Sequence, residues 1–345
     1  MAAKSHFSGA VDEGWLAQSR EEILEPELPI VDPHHHLWNH ASNVYLFPEL
    51  LADLASGHNV QATVFEECGS MYRVDGPEEF RSLGETEFVT GVAAMSASGG
   101  FGPARACAAM VGNVNLLLGS RVEPIFEAHL AASGGRFHGI RFSTAWDADE
   151  RVHNTVPRAH MLAVARFREG FQCLARLGLT FDAWVYHPQL NDVADLAAAF
   201  PQTQIVLNHF GSPILGGPNA GRGREVFAEW RAGMAALARH DNVSVKLGAL
   251  PVRRPKNADP QAANLPLSSE EIAAAWRPFV EVCIEQFGAQ RCMFESNFPV
   301  QKRWCSYAVL WNACKRLAAG ASTGEKAALF GGTAARAYRL PAGLV

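Results

Sequence analysis

Long apolar runs are missing from this 345-residue sequence. No stretch approaches the ~18 consecutive apolar residues that a membrane-spanning helix needs. The opening segment is polar and acidic, without the apolar centre of a secretion signal. The net charge of −5 offers no basic surface to nucleic acid and no basic segment beside a membrane. We therefore expect no nucleic-acid or membrane partner, and we predict a cytoplasmic protein.

Paired cysteines are missing as well. The seven cysteines are scattered, odd in number, and never in the CxxC spacing of metal-binding or redox pairs. Most have apolar neighbours, which predicts reduced, buried thiols. No GxxxxGK[ST] motif occurs, and the one GxSxG match, "GASTG" around Ser322, lies between two helical patterns instead of on a strand-to-helix turn. Phosphate-loop and nucleophilic-serine chemistry are therefore unsupported.

What the sequence does contain is an alternation of short apolar runs and longer helical patterns. Eight runs predict strands, roughly two dozen to fifty residues apart, which is the spacing of βα units. Between them, apolar residues at three- and four-residue spacing predict amphipathic helices, most clearly over 158–178, 224–240 and 268–288. The predicted strands are 29–35, 61–68, 88–95, 137–143, 179–187, 203–209, 243–248 and 291–296.

Eight such units predict an α/β fold, the (β/α)8 TIM barrel of parallel strands. A doubly wound sheet is the alternative, but no Gly-rich phosphate turn follows any predicted strand. We expect residues 1–28 to form an N-terminal arm, residues 29–345 to form the barrel domain, and the C-terminal segment to form a final helix packed on it. Three long irregular segments are expected on the C-terminal face, where active sites are built: 37–47, 96–104 and 249–267.

Histidines end the first predicted strand, in the stretch "IVDPHHHLWNH". Because side chains alternate along a strand, His34 and His36 share one face while His35 points to the other. On a barrel strand, His34 and His36 would point at the barrel axis, where a pair of imidazoles can chelate Zn²⁺ or Mn²⁺. An isolated HxH tract is more often simply solvated. His187 and His209, at the ends of the fifth and sixth predicted strands, favour a site, because these strand ends would meet at one rim.

Cationic side chains end two other predicted strands. Arg141 ends the fourth and Lys246 the seventh, and a guanidinium can bind a carboxylate through two hydrogen bonds. For both cations, an ion pair with Glu67 or Glu295 inside the barrel is an equal alternative. Trp38 could wall a ring-shaped substrate, although core packing is the commoner fate of tryptophan.

The ordered motifs "VDPHHHLW", "VYHPQLNDVADLAAAFPQTQIVLNHFGSP" and "CMFESNFPV" resemble the amidohydrolase superfamily, in its amidohydrolase 2 branch, over about residues 29–340. The resemblance implies a TIM-barrel lactonase, ring-fission hydrolase or decarboxylase that acts on a small carboxylated molecule. At the matched positions it implies that His34, His36 and His187 bind a divalent metal, zinc or manganese. It also implies that His209 polarises a substrate oxygen or moves a proton. A homodimer would be compatible with the family.

One matched position departs from the family pattern. The eighth strand of the family normally ends in an aspartate that ligates the metal and takes a proton from the attacking water, and Asn297 stands there. An amide is a weak neutral ligand and cannot take a proton at neutral pH. The general base is therefore left open among Glu295, Glu67 and a histidine-bound water, and a histidine site without metal is also left open. Glu295 could instead lie one layer deeper in the barrel as a structural partner of a histidine or arginine.

The combined expectation is a hydrolase that opens a lactone or related cyclic ester of a carboxylated substrate. Decarboxylation or C–C bond hydrolysis of an aromatic catabolite at the same site is the alternative. A barrel that binds a ligand without catalysis is a second alternative, which Asn297 motivates and the four histidines oppose. The expected catalytic residues are His209, Glu295 and Asn297, and the expected substrate-binding residues are Arg141, Lys246, Glu67 and Trp38.

Overall fold

The computed structural model describes residues 11–252 and 264–344. Eight parallel strands form one sheet whose order follows the chain, and a short antiparallel hairpin follows the first of them. The barrel strands are β1 (Ile30–His35), β4 (Val60–Glu66), β5 (Arg105–Gly112), β6 (Phe137–Arg141), β7 (Thr180–Ala183), β8 (Ile205–Leu207), β9 (Val243–Leu247) and β10 (Cys292–Phe294), and the hairpin strands are β2 (Trp38–His40) and β3 (Asn43–Tyr45).

The first and last strands meet at their carboxyl ends. The backbone N–H of Asn297 donates to the carbonyl of His34 at 2.8 Å, and the N–H of His36 donates to the carbonyl of Phe298 at 2.7 Å. These bonds bring the end of β10 beside the end of β1, so the eight strands with their flanking helices form a TIM barrel, as predicted.

Helices connect the strands and surround the sheet. The predicted helix starts and stops are visible in the longest one, where the Ser268 hydroxyl accepts from the Glu271 backbone N–H at 3.2 Å and Gly288 ends the helix with φ 73°. The helices are α1 (Glu13–Leu16), α2 (Phe47–Leu54), α3 (Leu83–Ala97), α4 (Glu123–Ala132), α5 (Ala165–Leu177), α6 (Leu190–Ala199), α7 (Gly223–Leu237), α8 (Ser269–Phe287), α9 (Tyr307–Leu317), α10 (Thr323–Ala327) and α11 (Thr333–Ala337).

The third predicted strand, 88–95, is wrong. These residues belong to α3, which buries Val89, Val92 and Ala93 at three- and four-residue spacing. A short apolar run fits a buried strand and a buried helix equally well, and here the helical period extends through the flanking residues.

The strand that fills this place in the barrel is β5, with the sequence "RACAAMVG". Alanine and glycine are poor strand formers, which is why the run gave no strand signal. As a consequence, the irregular segment 96–104 precedes a strand, so it does not lie on the C-terminal face as expected. Residues 253–263 of the other predicted loop, 249–267, lie outside the described residues.

The interior of the barrel has two layers. The lower, called here the apolar layer, consists of Val31, Ala62, Val64, Ala109, Val111, Val206 and Met293, and the C-terminal residues Ala334, Ala337 and Tyr338 pack against it. The upper, called here the charged layer, consists of His34, Glu66, Asp182, Lys246 and Glu295, all without exposed surface. Two-residue steps along the strands connect the layers, because Val64 and Glu66, and likewise Met293 and Glu295, point to the same side. The expected C-terminal helical packing is thus confirmed.

The described part of the N-terminal segment lies against the helices. The Trp15 indole donates to the Asn264 carbonyl at 2.7 Å, and the Leu24 N–H donates to the side chain of Asn312 at 2.9 Å. The division of the chain between residues 28 and 29 stays a prediction.

All seven cysteines are free, and among the described helices none is long and apolar enough to cross a membrane.

Candidate active site

A cavity of about 830 Å³ opens where the barrel strands end. The segments that follow all eight barrel strands contribute to its wall, as expected for the C-terminal face of a TIM barrel. Its volume lies within the range of small-molecule sites. The ionisable, amide and aromatic side chains that line it are His36, Trp38, His40, Glu67, Asn113, Arg141, Phe142, Arg151, His153, Trp184, Tyr186, His209, Asn297, Gln301, Arg303 and Trp304.

The histidines of β1 alternate as the sequence predicted. The Nε2 atoms of His34 and His36 lie 3.3 Å apart, so both rings point into the barrel. His35 points the other way, where its Nε2 lies 2.8 Å from the Thr63 hydroxyl. His36 reaches the cavity, and His34 lies fully buried directly beneath it.

His36 is held by its neighbours at both ring nitrogens. Its Nδ1–H donates to the carbonyl of Glu66 at 2.8 Å, which leaves Nε2 as a bare acceptor. That Nε2 lies 3.1 Å from Oδ1 of Asn297, the residue that departs from the family pattern. Burial, followed by the nearby charge of Arg141, holds the pKa of His36 well below its usual value, so the ring is neutral. Its plane is parallel to that of Trp38, with the ring centres 5.8 Å apart.

His34 contacts two other members of the charged layer, Glu295 and Lys246. Its Nδ1 lies 2.9 Å from Oε2 of Glu295 and 3.2 Å from Nζ of Lys246. Burial, followed by the charge of Lys246, holds the pKa of His34 well below its usual value. Both histidines of the HxH pair are therefore neutral rings with their Nε2 atoms facing each other.

His209 approaches the same point from the end of β8. Its Nδ1 lies 2.7 Å from Oε1 of Glu295, its backbone N–H donates to the same oxygen at 3.2 Å, and its ring centre is 4.7 Å from that of His34. The turn that carries His209 is unusual, since His209, Phe210 and Ser212 all have positive φ. Such backbone is costly and is typical of functional sites.

Lys246 and Glu295 lie beneath the cavity and do not line it. Nζ of Lys246 contacts Asp182 at 2.7 Å and Glu66 at 2.8 Å, and the three side chains have no exposed surface. Burial lowers the pKa of Lys246, but these two carboxylates outweigh it and hold the pKa above its usual value. An ion pair inside the barrel was the alternative for Lys246, and its partners are Asp182 and Glu66 instead of Glu67 or Glu295.

Arg141 does reach the cavity, but carboxylates already surround it. Its Nε donates to Oε1 of Glu67 at 2.7 Å and lies 3.5 Å from Oε1 of Glu66. Its Nη2 donates to the Glu67 carbonyl, and its Nη1 lies 3.5 Å from Nε2 of His34. The ion pair with Glu67, one of the two alternatives from the sequence, is therefore present.

The structure does not bring His187 into this group. Nδ1 of His187 accepts from the Ile214 N–H at 3.3 Å, and Nε2 lies 3.8 Å from Glu229 on α7. His187 is absent from the cavity lining, and it joins no group of three ligating side chains among the described residues. Its role as a metal ligand stays a prediction.

Several residues of the site were missed from the sequence. Glu66 and Asp182 form the buried base of the site, and Trp184, Asn113 and Gln301 line the cavity. Asp182 and Trp184 lie two residues apart at the end of β7, so the alternation rule that selected His34 and His36 would have placed both inside the barrel.

Two sets of atoms in the site could hold a metal ion. One is a group formed by His34, His209 and Glu295, whose ligand atoms lie within 4.8 Å of one another. In this group, however, Nδ1 of both histidines contacts the Glu295 carboxylate. The Nζ of Lys246 lies 3.2 Å from Nδ1 of His34, and its positive charge would repel a cation. The other set is formed by the Nε2 atoms of His34 and His36 together with Oδ1 of Asn297, on the cavity side, where the guanidinium of Arg141 also lies 3.5 Å from Nε2 of His34.

Comparison with known proteins gives a consistent result along the chain. The family model described as amidohydrolase matches residues 31–340. An uncharacterized protein of Sinorhizobium fredii, y4mH, is 31% identical over 336 residues, which cover 91% of this chain and 99% of that protein. An L-fucono-1,5-lactonase of Burkholderia multivorans is 31% identical over 209 residues, which cover 60% of this chain and 64% of the lactonase. The match thus spans slightly less than two thirds of that lactonase.

A solved structure shows the same arrangement of the chain. An amidohydrolase of Burkholderia multivorans, crystallised with bound zinc, has 25% sequence identity and a TM-score of 0.67. The superposition covers 90% of this chain and 99% of that one.

Proposed function

Because this chain belongs to the amidohydrolase family and is an enzyme of that superfamily, we propose that it hydrolyses the ring ester of a small lactone. The observation that carries the proposal is the meeting of His34, His36, His209 and Asn297 at the floor of one cavity. The imidazole and amide groups of His36, His209 and Asn297, which line the cavity, can bind a carbonyl group and a water molecule together. A barrel that only binds a ligand has no need of such a cluster.

The substrate that we propose is an uncharged, hydroxylated lactone. The two cations expected to bind a substrate carboxylate are already paired, Arg141 with Glu67 and Lys246 with Asp182 and Glu66. A carboxylate placed at the floor would lie next to Glu67, which lines the cavity. Indole and phenol rings on the wall offer flat surfaces to a sugar-like ring, and the Burkholderia relative is named for a sugar lactone. This differs from the carboxylated substrate expected from the sequence.

A divalent metal fits the donor atoms on the cavity side. With its Nδ1–H donated to the backbone carbonyl of Glu66, His36 presents a bare Nε2, while Nδ1 of His34 lies 2.9 Å from Glu295 and 3.2 Å from Nζ of Lys246. The Nε2 atoms of His34 and His36 lie 3.3 Å apart, and Oδ1 of Asn297 lies 3.1 Å from Nε2 of His36, which is close to the spacing of neighbouring ligands around one zinc ion. His34 and His36 would hold zinc, or manganese, with Asn297 as a weaker ligand. When bound, such an ion lowers the pKa of water and polarises a carbonyl.

The proton transfers fall to His209. In the reaction the water oxygen bonds to the carbonyl carbon, the ring C–O bond breaks, and the leaving alkoxide takes a proton, which gives a hydroxy acid. Because Nδ1 of His209 faces Glu295 beneath the cavity, its Nε2 is the ring nitrogen on the cavity side. This Nε2 can accept a proton from water and return it to the alkoxide.

The other candidates for the general base are less well placed. Glu295 has no exposed surface and is absent from the cavity lining, and Glu67 is bound to Arg141. The guanidinium of Arg141, with Nη1 toward His34, can donate a hydrogen bond to the oxyanion that develops on the carbonyl oxygen.

A panel of lactones in ¹⁸O-labelled water tests the proposal. The full-length protein is supplied with neutral five- and six-membered sugar lactones and with a pyrone that carries carboxylates, and acid release and product mass are followed. We expect turnover of neutral lactones with one ¹⁸O in the new carboxylate, and a His209→Asn variant slower by about 100-fold or more. Preference for the carboxylated pyrone would contradict the substrate class. Release of CO₂ without ¹⁸O incorporation would indicate the decarboxylase alternative, and binding without turnover would indicate a non-catalytic barrel.

A further inference from the structure

The segment that follows β6, residues 145–155, folds back on itself beside the cavity. The backbone N–H of Thr155 donates to the carbonyl of Ala145 at 2.9 Å, so the two ends of the segment meet. The side chains of this segment that line the cavity belong to Arg151, Val152, His153 and Thr155. We propose that residues 145–155, called here the cap, select lactones by the size of their ring substituents, and that Gln189 and Tyr186 are positioning residues that hold the cap in place. The attachment of the cap is a property of the folded chain, while its selection of substrates rests on the proposed hydrolysis.

Hydrogen bonds within the cap give it a defined shape. The N–H of Asp147 donates to Oδ1 of Asn154 at 2.8 Å, and Nδ2 of Asn154 donates back to the Asp147 carbonyl at 2.9 Å. Farther along the cap, Oδ1 of Asp149 accepts the backbone N–H of Arg151 at 2.9 Å and its Nε–H at 2.8 Å. Compact loops whose ends lie close together are packed by their own side chains and are frequently functional. The cap therefore presents a defined surface to the cavity.

Gln189 attaches the base of the cap to the segment that follows β7. Its Oε1 accepts the N–H of Trp146 at 2.9 Å and the N–H of Tyr186 at 3.1 Å, and its Nε2 donates to the Thr144 carbonyl at 2.7 Å. An amide suits this place because it accepts and donates at once. Gln189 is buried and absent from the cavity lining, so it acts through the two segments that it joins and touches no substrate.

Tyr186 attaches the cap at a second point. Its hydroxyl donates to the carbonyl of His153 at 2.6 Å, and its ring lines the cavity. The hydroxyl has one hydrogen, which this bond uses, so the ring offers a flat surface to the cavity while the hydroxyl holds the cap. The same segment carries Trp184, whose ring centre lies 6.4 Å from that of His209. The cap is therefore fixed relative to the histidine that we propose as the proton carrier.

Val152 is the aliphatic side chain that the cap places on the cavity wall. A side chain on a wall that is held at two points cannot move aside to admit a larger molecule. Val152 should therefore limit how far the substituents of a bound lactone ring extend on this side of the cavity. Pockets discriminate by such contacts, and one methylene group that fits or does not fit changes kcat/KM by about 10-fold or more.

Hydrogen–deuterium exchange measures the attachment of the cap without any substrate. Peptides that cover residues 144–155 are compared in the full-length wild-type protein, in Tyr186→Phe and in Gln189→Met. Loss of the single hydrogen bond to His153 should raise exchange in the cap about 3- to 10-fold, and loss of the three bonds of Gln189 should raise it more. Tyr45→Phe is the matched control, since it removes a tyrosine hydroxyl bond to Asp53 outside the cap and should leave exchange in the cap unchanged. Unchanged exchange in the cap of folded Tyr186→Phe and Gln189→Met would overturn the proposal.

Val152→Phe tests the selection by size. The wild-type protein and the variant are supplied with an unsubstituted six-membered lactone and with a neutral sugar lactone of the same ring size. The kcat/KM for the sugar lactone should fall at least about 10-fold more than that for the unsubstituted lactone. Gln189→Met should raise the KM for the sugar lactone more than it lowers kcat, because the wall is loosened while the reacting groups remain.

The kinetic outcomes separate this proposal from the proposed function. Equal losses of kcat/KM for the two lactones in Val152→Phe would contradict selection by the cap. If exchange behaves as expected and no lactone is hydrolysed, the proposed function and the selection of lactones both fail. The attachment of the cap by Gln189 and Tyr186 then stands as a property of the folded chain.

Discussion

The apolar layer and the charged layer occupy the same barrel, one above the other, and both are fully buried. In the lower layer, valine and methionine side chains from the strands are closed off by Ala334, Ala337 and Tyr338 of the C-terminal segment. In the upper layer, two residues farther along β4 and β10, the same inward positions carry Glu66 and Glu295 instead of Val64 and Met293. The comparison separates the part of the barrel that stabilises the fold from the part that prepares chemistry.

The two layers are stable for different physical reasons. Burial of an apolar side chain contributes about 1.5–3 kcal/mol. Burial of a charge costs several kcal/mol, which only close ion pairs and hydrogen bonds offset. The charged layer meets this condition at Lys246, which contacts Asp182 and Glu66, and the Tyr338 hydroxyl donates to Asp182 at 2.7 Å from below. Tyr338 therefore belongs to both layers and joins them.

Among substitutions in the charged layer, Lys246→Met is expected to lower the free energy of unfolding most. Methionine fills about the same space as lysine but leaves Asp182 and Glu66 buried without their cation. We therefore expect the free energy of unfolding to fall by about 3–5 kcal/mol. Denaturant unfolding at neutral pH measures this change.

Lys302→Met is the matched control for that prediction. Lys302 is also buried and paired with Asp53, but its second partner, Glu13, is 69% exposed, so water can replace part of the lost interaction. A smaller loss of stability is expected. Equal losses in the free energy of unfolding of Lys246→Met and Lys302→Met would show that an ion pair in the charged layer contributes no more to stability than one near the surface.

A smaller effect is expected from Glu66→Gln, and it depends on pH. Burial, followed by the nearby charge of Asp182, raises the pKa of Glu66 from 4.5 to about 8. Because the folded pKa is the higher one, the folded state binds the extra proton, and wild-type stability should decline as pH rises from about 5 to about 8. The decline is at most about 1.4 kcal/mol per pH unit for one group.

The glutamine variant lacks this titration. Its free energy of unfolding should therefore fall less steeply over the same pH range. Plotted against pH, the free energies of unfolding of the wild type and the variant should converge or cross as pH rises. Parallel curves for wild type and variant would mean that Glu66 is ionised throughout and that Lys246 holds two charges at once. Unfolding titrations at several pH values distinguish these outcomes.

Much of the fold could be predicted because periodicity is a local property. Short apolar runs that end in polar residues predict His34, Arg141 and Lys246 on the strands that carry them, while His209, predicted to end its strand, lies two residues beyond β8. The strand β5 was missed because its alanines and glycine provide little local preference, and the barrel's neighbouring strands, not its own residues, make it a strand.

The site was harder to predict than the fold, since the partner of each charge is set in three dimensions. The sequence placed Arg141 and Lys246 at strand ends but could not decide between substrate and carboxylate partners, which come from strands far away in the chain. Glu295 is a candidate base from the sequence because it shares a strand face with Asn297, and a place one layer deeper, as the partner of a histidine or arginine, is the alternative. The structure has this alternative, with Glu295 buried and in contact with His209.

The central claim, that the side chains lining the cavity above the charged layer serve chemistry while the apolar layer serves stability, is tested most directly by measuring turnover and unfolding for His36→Ala and Met293→Ala side by side. For Met293→Ala we predict a loss of about 2–5 kcal/mol in the free energy of unfolding, with the kcat of the folded protein unchanged. For His36→Ala we predict turnover lower by about 100-fold or more with a smaller loss of stability. Full turnover in His36→Ala, or an equally large loss of kcat in folded Met293→Ala, would contradict the account.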